Sequence, residues 1–389
     1  MADKSLRIAF FAQDFPPDVG GTHTYNIEYA RRLCARGHDV RIFTWQRTPG
    51  RAAGVDAALP FEVHREPFSR PGRGIAAHGV ADALRRWDAE VAFVSGGSGA
   101  VSLVARAAQQ STPTCISVHD LRDKGRDRGR FGRWRVRRRY GFDRAARITA
   151  NSEHTRERLL RLGVEPERLA IVHPGVDLAR FAPDPEAGRR IRKALGLGDG
   201  PVLLTVSRLA PNKGHTRVIE QLPSLRRHCP DIAYVVVGDG GMRAELEARG
   251  EALGVRSSLR FTGRVDDVAA YYNACDVFVM ASSRHGGGAK AGEGFGIAYA
   301  EANACGKPAV ASSSGGGSEI VIDGETGRVV DPDDGEGLEV ALLELLTDRE
   351  RARAFGARAR ERVRRYDWDT GAARLERVLR ETADSRPSR

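Results

Sequence analysis

The chain alternates short β-branched and apolar runs with longer amphipathic stretches, and it completes this series twice. In the first half the short runs are Arg7–Ala12, Asp39–Trp45, Val91–Ser95, Thr114–Val118, Arg147–Ala150 and Ala170–Val172. Helical patterns such as Thr24–Arg36 and Val101–Gln110 lie between them. Such runs predict strands, and strand–helix–strand repetition predicts a parallel sheet covered by helices. After the polar, proline-containing stretch Phe181-Ala-Pro-Asp-Pro-Glu-Ala-Gly188 a second series begins. It runs Val202–Val206, Ala233–Val237, Ser258–Thr262, Val277–Met280, Pro308–Ala311 and Gly327–Val330.

This pattern predicts an α/β protein of two doubly wound, Rossmann-like domains, residues 1–185 and 186–365. The charged stretch Asp348–Thr382 reads as helical, so residues 366–389 are expected to form a C-terminal helix and tail, with a return to the first domain open to the helix. A length of 389 residues fits two domains of ordinary size. Most runs of the second series are followed closely by Gly, Ser, Asp or Arg, where a sheet's carboxyl edge presents its loops. The ligand cleft is therefore expected between the domains.

Several classes are excluded. No apolar run approaches the roughly 18–20 residues of a membrane span. The N-terminal run Ile8–Phe11 gives way to Gln13 and Asp14 too soon for a signal core, so it is expected to be the first strand of a mature protein. The five cysteines, Cys34, Cys115, Cys229, Cys275 and Cys305, form no Cys-x-x-Cys pair, which disfavours a zinc knuckle or redox motif and fits a reducing cytosol. Asp331-Pro-Asp333 lacks an evident third ligand for a metal, and Ser95-Gly-Gly-Ser98 lacks the spacing of a nucleophile elbow.

Four loops hold candidate chemistry. The glycine-rich stretch Gly286-Gly-Gly-Ala-Lys-Ala-Gly-Glu293-Gly-Phe-Gly-Ile-Ala-Tyr-Ala-Glu301 follows a strand and enters a helix, whose free first-turn amides suit a phosphate. Glu293 and Glu301 are carboxylates suited to vicinal hydroxyls; read alone, the stretch is equally a glycine-rich turn with two solvated glutamates. Arg208 and Lys213, in Ser207-Arg-Leu-Ala-Pro-Asn-Lys-Gly214, emerge after a strand and could clamp a diphosphate or remain a solvated pair. Phe15-Pro-Pro-Asp-Val-Gly20-Gly21-Thr22 lies between the first strand and helix without the dinucleotide fingerprint, which disfavours an NAD site. His119-Asp120 stands at a strand end, a place for a functional or a structural histidine.

With these elements in order, the chain resembles the family-4 retaining glycosyltransferases of the GT-B fold over nearly its whole length, most closely the phosphatidylinositol mannoside and polysaccharide mannosyltransferases. The order is Gly20-Gly21, His119-Asp120, His173-Pro-Gly-Val-Asp177, Arg208…Lys213, Phe261-Thr-Gly-Arg264, Glu293-x7-Glu301 and Ala304-Cys-Gly-Lys-Pro308. The resemblance implies that Arg208 and Lys213 bind the donor diphosphate and stabilise the leaving group. It implies that Glu293, with the backbone amides of Gly294, Phe295 and Gly296, grips the donor sugar, and that Glu301 binds the ribose. His119 would reach across the cleft to the sugar near its C6 hydroxyl, Gly20 and Gly21 would close over the phosphates, and the backbone at Arg264 would lie beside the base. The N-terminal domain would take the acceptor and the C-terminal domain the nucleotide sugar. The implied reaction moves a hexosyl group, mannosyl favoured over glucosyl or N-acetylglucosaminyl, to a lipid-linked, glycan or small-molecule hydroxyl, with retention and without cofactor or metal.

The charge is lopsided. Residues 121–147 hold twelve Arg/Lys and three Asp, a net of +9 out of +11. Arg122 to Arg147 also includes Phe131, Trp134, Tyr140 and Phe142, a mixture that suits an anionic membrane surface or a solvated helix. The expected location is the cytoplasm, peripheral on the inner membrane face if this segment docks, with no nucleic-acid partner. Two rivals remain: a sugar-nucleotide epimerase or phosphorylase on the same fold, and a non-catalytic membrane- or nucleic-acid-binding protein. The presence of all of Glu293, Glu301, Arg208, Lys213 and His119 argues against the second.

Overall fold

The computed structural model describes residues 4–17, 20–46, 52–67, 84–96, 108–109, 111–119, 121, 129–282 and 293–385. The helical pattern of Val101–Gln110 falls almost wholly outside them, as do Asp120, residues 122–128 of the basic segment, and the glycine-rich stretch up to Gly292. The chain forms two compact units, Met1–Gly175 with Trp368–Arg389, and Val176–Asp367.

In the first unit the strands are β1 (Arg7–Ala12), β2 (Asp39–Gln46), β3 (Glu62–Pro67), β4 (Val91–Ser95), β5 (Thr114–Val118), β6 (Arg147–Ala150) and β7 (Leu169–Ile171). Among the described residues they make one sheet in the order β3-β2-β1-β4-β5-β6-β7, with every pairing parallel. Side chains alternate across a strand, so β1 feeds two apolar layers. Ile8 and Phe10 pack with Tyr29 and Leu33 of the helix Gly21–Ala35, whereas Ala9 and Phe11 share the other face with Phe142 and Leu159. Truncating a fully buried Phe such as Phe10 to Ala costs about 3–5 kcal/mol. The pattern gave no hint of β3, because Glu62-Val-His-Arg-Glu-Pro is an edge strand with little apolar alternation.

The helix Trp368–Asp384 belongs to this first unit. Its Trp368, Ala372, Leu375 and Leu379 are buried in the layer that holds Ile8 and Tyr29. Gly175 packs against it so closely that a Cβ there would lie 2.6 Å from the Trp368 ring, which leaves room for glycine alone.

The second unit contains β8 (Val202–Val206), β9 (Ala233–Val237), β10 (Leu259–Gly263), β11 (Val277–Met280), β12 (Ala309–Ser312) and β13 (Gly327–Val330), in the order β10-β9-β8-β11-β12-β13, with every pairing parallel. It begins at Val176, before the polar stretch that suggested the boundary. The reason is local. Val176 pairs with Asp367, its amide donates to the Tyr366 carbonyl at 2.8 Å, and Phe181 is buried against Tyr272. Asp184, in the same stretch, caps the helix Pro185–Ala194 by accepting from the amides of Glu186 and Ala187. A side-chain cap of this kind contributes about 1 kcal/mol, so the stretch is a helix entry and not a linker.

Each sheet reverses its winding once, between β1 and β4 in the first unit and between β8 and β11 in the second. Helices leave such a point toward opposite faces, and the crevice beyond the strands' carboxyl ends is where doubly wound sheets hold ligands.

Candidate active site

In the second unit the carboxyl ends of β8 and β11 carry a charged cluster. Lys213 ends the short turn Pro211–Lys213, and its Nζ donates to Glu293 Oε1 at 2.6 Å. Ser282, just past β11 and fully buried, donates to the same oxygen at 3.0 Å. Both donors thus converge on Oε1, while Oε2 of Glu293 accepts no hydrogen bond among the described residues. Burial works against the Glu293 charge, but the Lys213 ammonium, the Ser282 hydroxyl and the Arg208 charge more than offset it. The carboxyl is held below its usual range. The Arg208 side chain itself is exposed and makes no hydrogen bond or ion pair among the described residues. An exposed cation therefore stands beside a neutralised ion pair.

Gly294-Phe295-Gly296 leads from Glu293 into the helix Ile297–Ala304. Phe295 is buried edge-on against Tyr366, and the Glu293 carbonyl accepts from Gly316, which anchors the segment from below. Gly296 has φ of +88°, and a Cβ there would lie 2.6 Å from the Tyr299 ring, so a side chain is excluded twice over. First-turn amides of a helix lack intrahelical acceptors and carry partial positive charge, which suits an anion.

Glu301, one turn into that helix, forms a separate cluster. Tyr272 Oη donates to its Oε2 at 2.7 Å. Burial raises the Glu301 pKa to about 7, against the lowering pull of the Tyr272 hydroxyl and of the Arg180 charge. Arg264 follows β10 and is exposed; among the described residues it joins neither cluster. Its neighbour Gly263 ties β10 to β9 by accepting from the Gly238 amide at 2.8 Å.

In the first unit Gly20 and Gly21 stand at the start of the helix Gly21–Ala35, where the Gly20 carbonyl accepts from the Thr24 amide at 3.0 Å. His119 follows β5. Its Nε2 lies 2.9 Å from Ser95 Oγ and 3.4 Å from Ser117 Oγ, and its ring meets Tyr25 edge-on at 4.2 Å. Burial lowers its pKa to about 4, so the imidazole is neutral near pH 7. In the second unit His215 is likewise neutral. Burial brings its pKa to about 4, and it bridges Ser207 Oγ (2.9 Å) and Tyr234 Oη (3.2 Å).

The motif His173-Pro-Gly-Val-Asp177 proves structural in its contacts. The His173 carbonyl accepts from Tyr29, Gly175 makes room for Trp368, and Asp177 Oδ1 accepts from the amides of Ala179 and Arg180, both at 3.0 Å.

The basic segment contains the helix Gly129–Tyr140. Phe131 and Trp134 on it are 68% and 40% exposed and stack at 5.6 Å, with Arg135 over the first ring and Arg138 over the second. Two aromatic side chains are thereby held on the surface among arginines. Among the described residues, no helix is long and apolar enough to cross a membrane, and no group of three or more His, Cys, Asp or Glu could hold a metal.

Ser282, Tyr272, Ser95 and Asn26 support the candidate residues without belonging to any motif. Position is the one advance signal: Ser95 closes a predicted strand, and Ser282 lies two residues past the predicted strand Val277–Met280.

Residues 19–180 match the model for Glycosyltransferase Family 4, and residues 188–362 match that for Glycosyl transferases group 1. The chain is 34% identical over 380 residues to a GDP-mannose-dependent alpha-(1-6)-phosphatidylinositol monomannoside mannosyltransferase of Mycolicibacterium smegmatis, covering 94% of this chain and 96% of the relative. It is 31% identical over 401 residues to D-inositol 3-phosphate glycosyltransferase 2 of Catenulispora acidiphila, covering 92% of this chain and 88% of the relative. The fold matches Anabaena HepE, solved with UDP and glucose, at a TM-score of 0.80 and 23% identity, over 96% of this chain and 99% of that one.

Proposed function

Because the chain belongs to glycosyltransferase family 4, with the GT-B fold and hexosyltransferase activity, we propose that it transfers a mannosyl group from GDP-mannose to an inositol-lipid acceptor with retention of configuration. The supporting observation is the Lys213–Glu293 pair with Arg208 beside it, at the carboxyl ends of β8 and β11, in a chain one-third identical to GDP-mannose-dependent enzymes. Breaking the glycosyl–phosphate bond builds negative charge on the diphosphate and positive charge on the anomeric carbon. Arg208, the Lys213 donors not engaged by Glu293, and the first-turn amides before Ile297 answer the first charge, so in this reading the reaction needs no metal. Glu293, kept ionised, offers Oε2 to hydroxyls of the transferred sugar. Glu301 accepts from the ribose, Gly294-Phe295-Gly296 supplies backbone donors, and the backbone at Arg264 lies beside the base. Gly20, Gly21 and His119 serve the phosphates and the transferred sugar. The acceptor hydroxyl attacks on the leaving-group side, and the departing phosphate takes its proton.

The stacked Phe131 and Trp134 among arginines favour a lipid acceptor over a soluble inositol phosphate. An anionic bilayer would attract each nearby Arg by about 1 kcal/mol and receive the two rings at its interface. The test is direct. With GDP-mannose and a monomannosylated phosphatidylinositol, in EDTA, the product should carry an α-mannosyl group. GDP at about 100 times its dissociation constant should stabilise the protein by about 2.7 kcal/mol, with UDP lagging. An inverted anomer, or transfer to free inositol phosphate alone, defeats the reading. Vesicles with anionic lipid should co-sediment the protein, and a Phe131→Ser, Trp134→Ser double variant should lose most of that binding.

A further inference from the structure

The polar groups beneath His119 form a chain whose proton positions can be read in order. Asn26, fully buried on the helix Gly21–Ala35, places its Nδ2 2.7 Å from the Asp14 carbonyl. A carbonyl only accepts, so the amide nitrogen must face it, and Asn26 Oδ1 is turned toward Ser95. Ser95 Oγ lies 2.5 Å from that oxygen. An amide oxygen only accepts, so Ser95 spends its single proton there. What Ser95 has left for His119 Nε2, 2.9 Å away, is a lone pair. Nε2 must therefore carry the imidazole proton. The Ser117 hydroxyl, 3.4 Å from Nε2 and 3.2 Å from Tyr25 Oη, is placed as a second acceptor for it. The other ring nitrogen, Nδ1, makes no hydrogen bond among the described residues.

We propose that Asn26 and Ser95 are positioning residues that lock His119 as the Nε2–H tautomer, presenting Nδ1 as a bare acceptor for a sugar hydroxyl. A carboxylate or an ether oxygen at that place would set acceptor against acceptor, so the lock also selects the substrate. The choice of a sugar hydroxyl rests on the sugar-transfer reading; the tautomer does not. The hydroxyl belongs to the donor's hexosyl group or to the acceptor, and the experiment separates the two.

Nitrogen-15 spectra of the full chain with labelled histidine, near pH 7 and without substrate, should show a pyrrole-type Nε2 and a pyridine-type Nδ1 for His119. A protonated Nδ1 overturns the lock. Ser95→Ala and Asn26→Leu should each yield a tautomer mixture and lower kcat/KM about tenfold, the size of one lost hydrogen bond. Retention of a pure Nε2–H form in both variants also overturns it. For the hydroxyl, GDP-mannose analogues and acceptors each lacking one hydroxyl are compared in wild type and His119→Ala. One deoxy position should lose its penalty in the variant, and its molecule identifies the source. If every penalty persists unchanged, the hydroxyl assignment fails while the tautomer is still decided by the spectra. If no sugar is transferred at all, the sugar-transfer reading fails, and the hydroxyl with it.

Discussion

The two units repeat one architecture and put different electrostatics at the same topological place. Beyond β8 and β11 the second unit sets an ion pair and an exposed cation, Lys213–Glu293 with Arg208. Beyond β1, β4 and β5 the first unit gathers, among the described residues, a hydrogen-bonded set of neutral groups, Asn26, Ser95 and a neutral His119. A doubly wound sheet supplies the crevice, and the side chains at its rim decide whether it answers charge or hydroxyls. Fold similarity between the halves is therefore no guide to similarity of task.

The largest effect should come from the charged rim. Lys213→Ala or Glu293→Gln is expected to lower kcat/KM by about 10²–10³, the range for removing one electrostatic contact to developing charge. Near-wild-type turnover in both would break the contrast between the units.

Acid stability probes what the units share. His119 and His215 both have pKa values lowered to about 4 by burial, so the native state holds fewer protons than the unfolded chain between about 4 and 6.5. The stability each provides is complete above about 6.5 and lost as pH falls through about 4, a change of about 3 kcal/mol apiece. Denaturant melts from pH 4 to 7 should be less steeply pH-dependent in His119→Gln and in His215→Gln than in wild type. An unchanged slope would show that the histidine replaced is not buried neutral.

Glu301 runs the other way. Its pKa is raised to about 7, so the stability of its neutral form is complete below the ordinary carboxyl range and is lost as pH rises through about 7. Nucleotide affinity should rise over the same interval as the carboxylate forms. Tyr272→Phe removes the hydroxyl that favours the ionised form, so affinity should fall about tenfold at pH 7 and its rise should shift to higher pH. Calorimetric titration with GDP at pH 6, 7 and 8 measures both. A pH-independent affinity would detach Glu301 from the ribose.

What could be read from the sequence follows from how far each signal reaches along the chain. β1, β4, β5, β6, β8, β9, β11 and β13 were visible to the residue because buried parallel strands are short apolar runs. β3 was missed because its edge position does not demand that pattern. Within the site, Glu293, Lys213 and His119 stood in loops next to predicted strand ends. Their supports could not be paired with them from the sequence, because Ser95 and Asn26 are 69 residues apart and Tyr272 and Glu301 are 29 apart. No local period links such pairs; only the folded sheet brings them together. The boundary at Gly175 was hidden for a related reason, since it is set by Val176 meeting Asp367 across the whole of the second unit.

That meeting governs the order in which the protein is built. The first unit's apolar layer around Ile8, Phe10 and Tyr29 is closed by Trp368, Leu375 and Leu379, so a ribosome must deliver every residue of the second unit before the first can finish folding. The segment translated earliest is completed last, and its uncovered layer is what a chaperone would meet on the nascent chain.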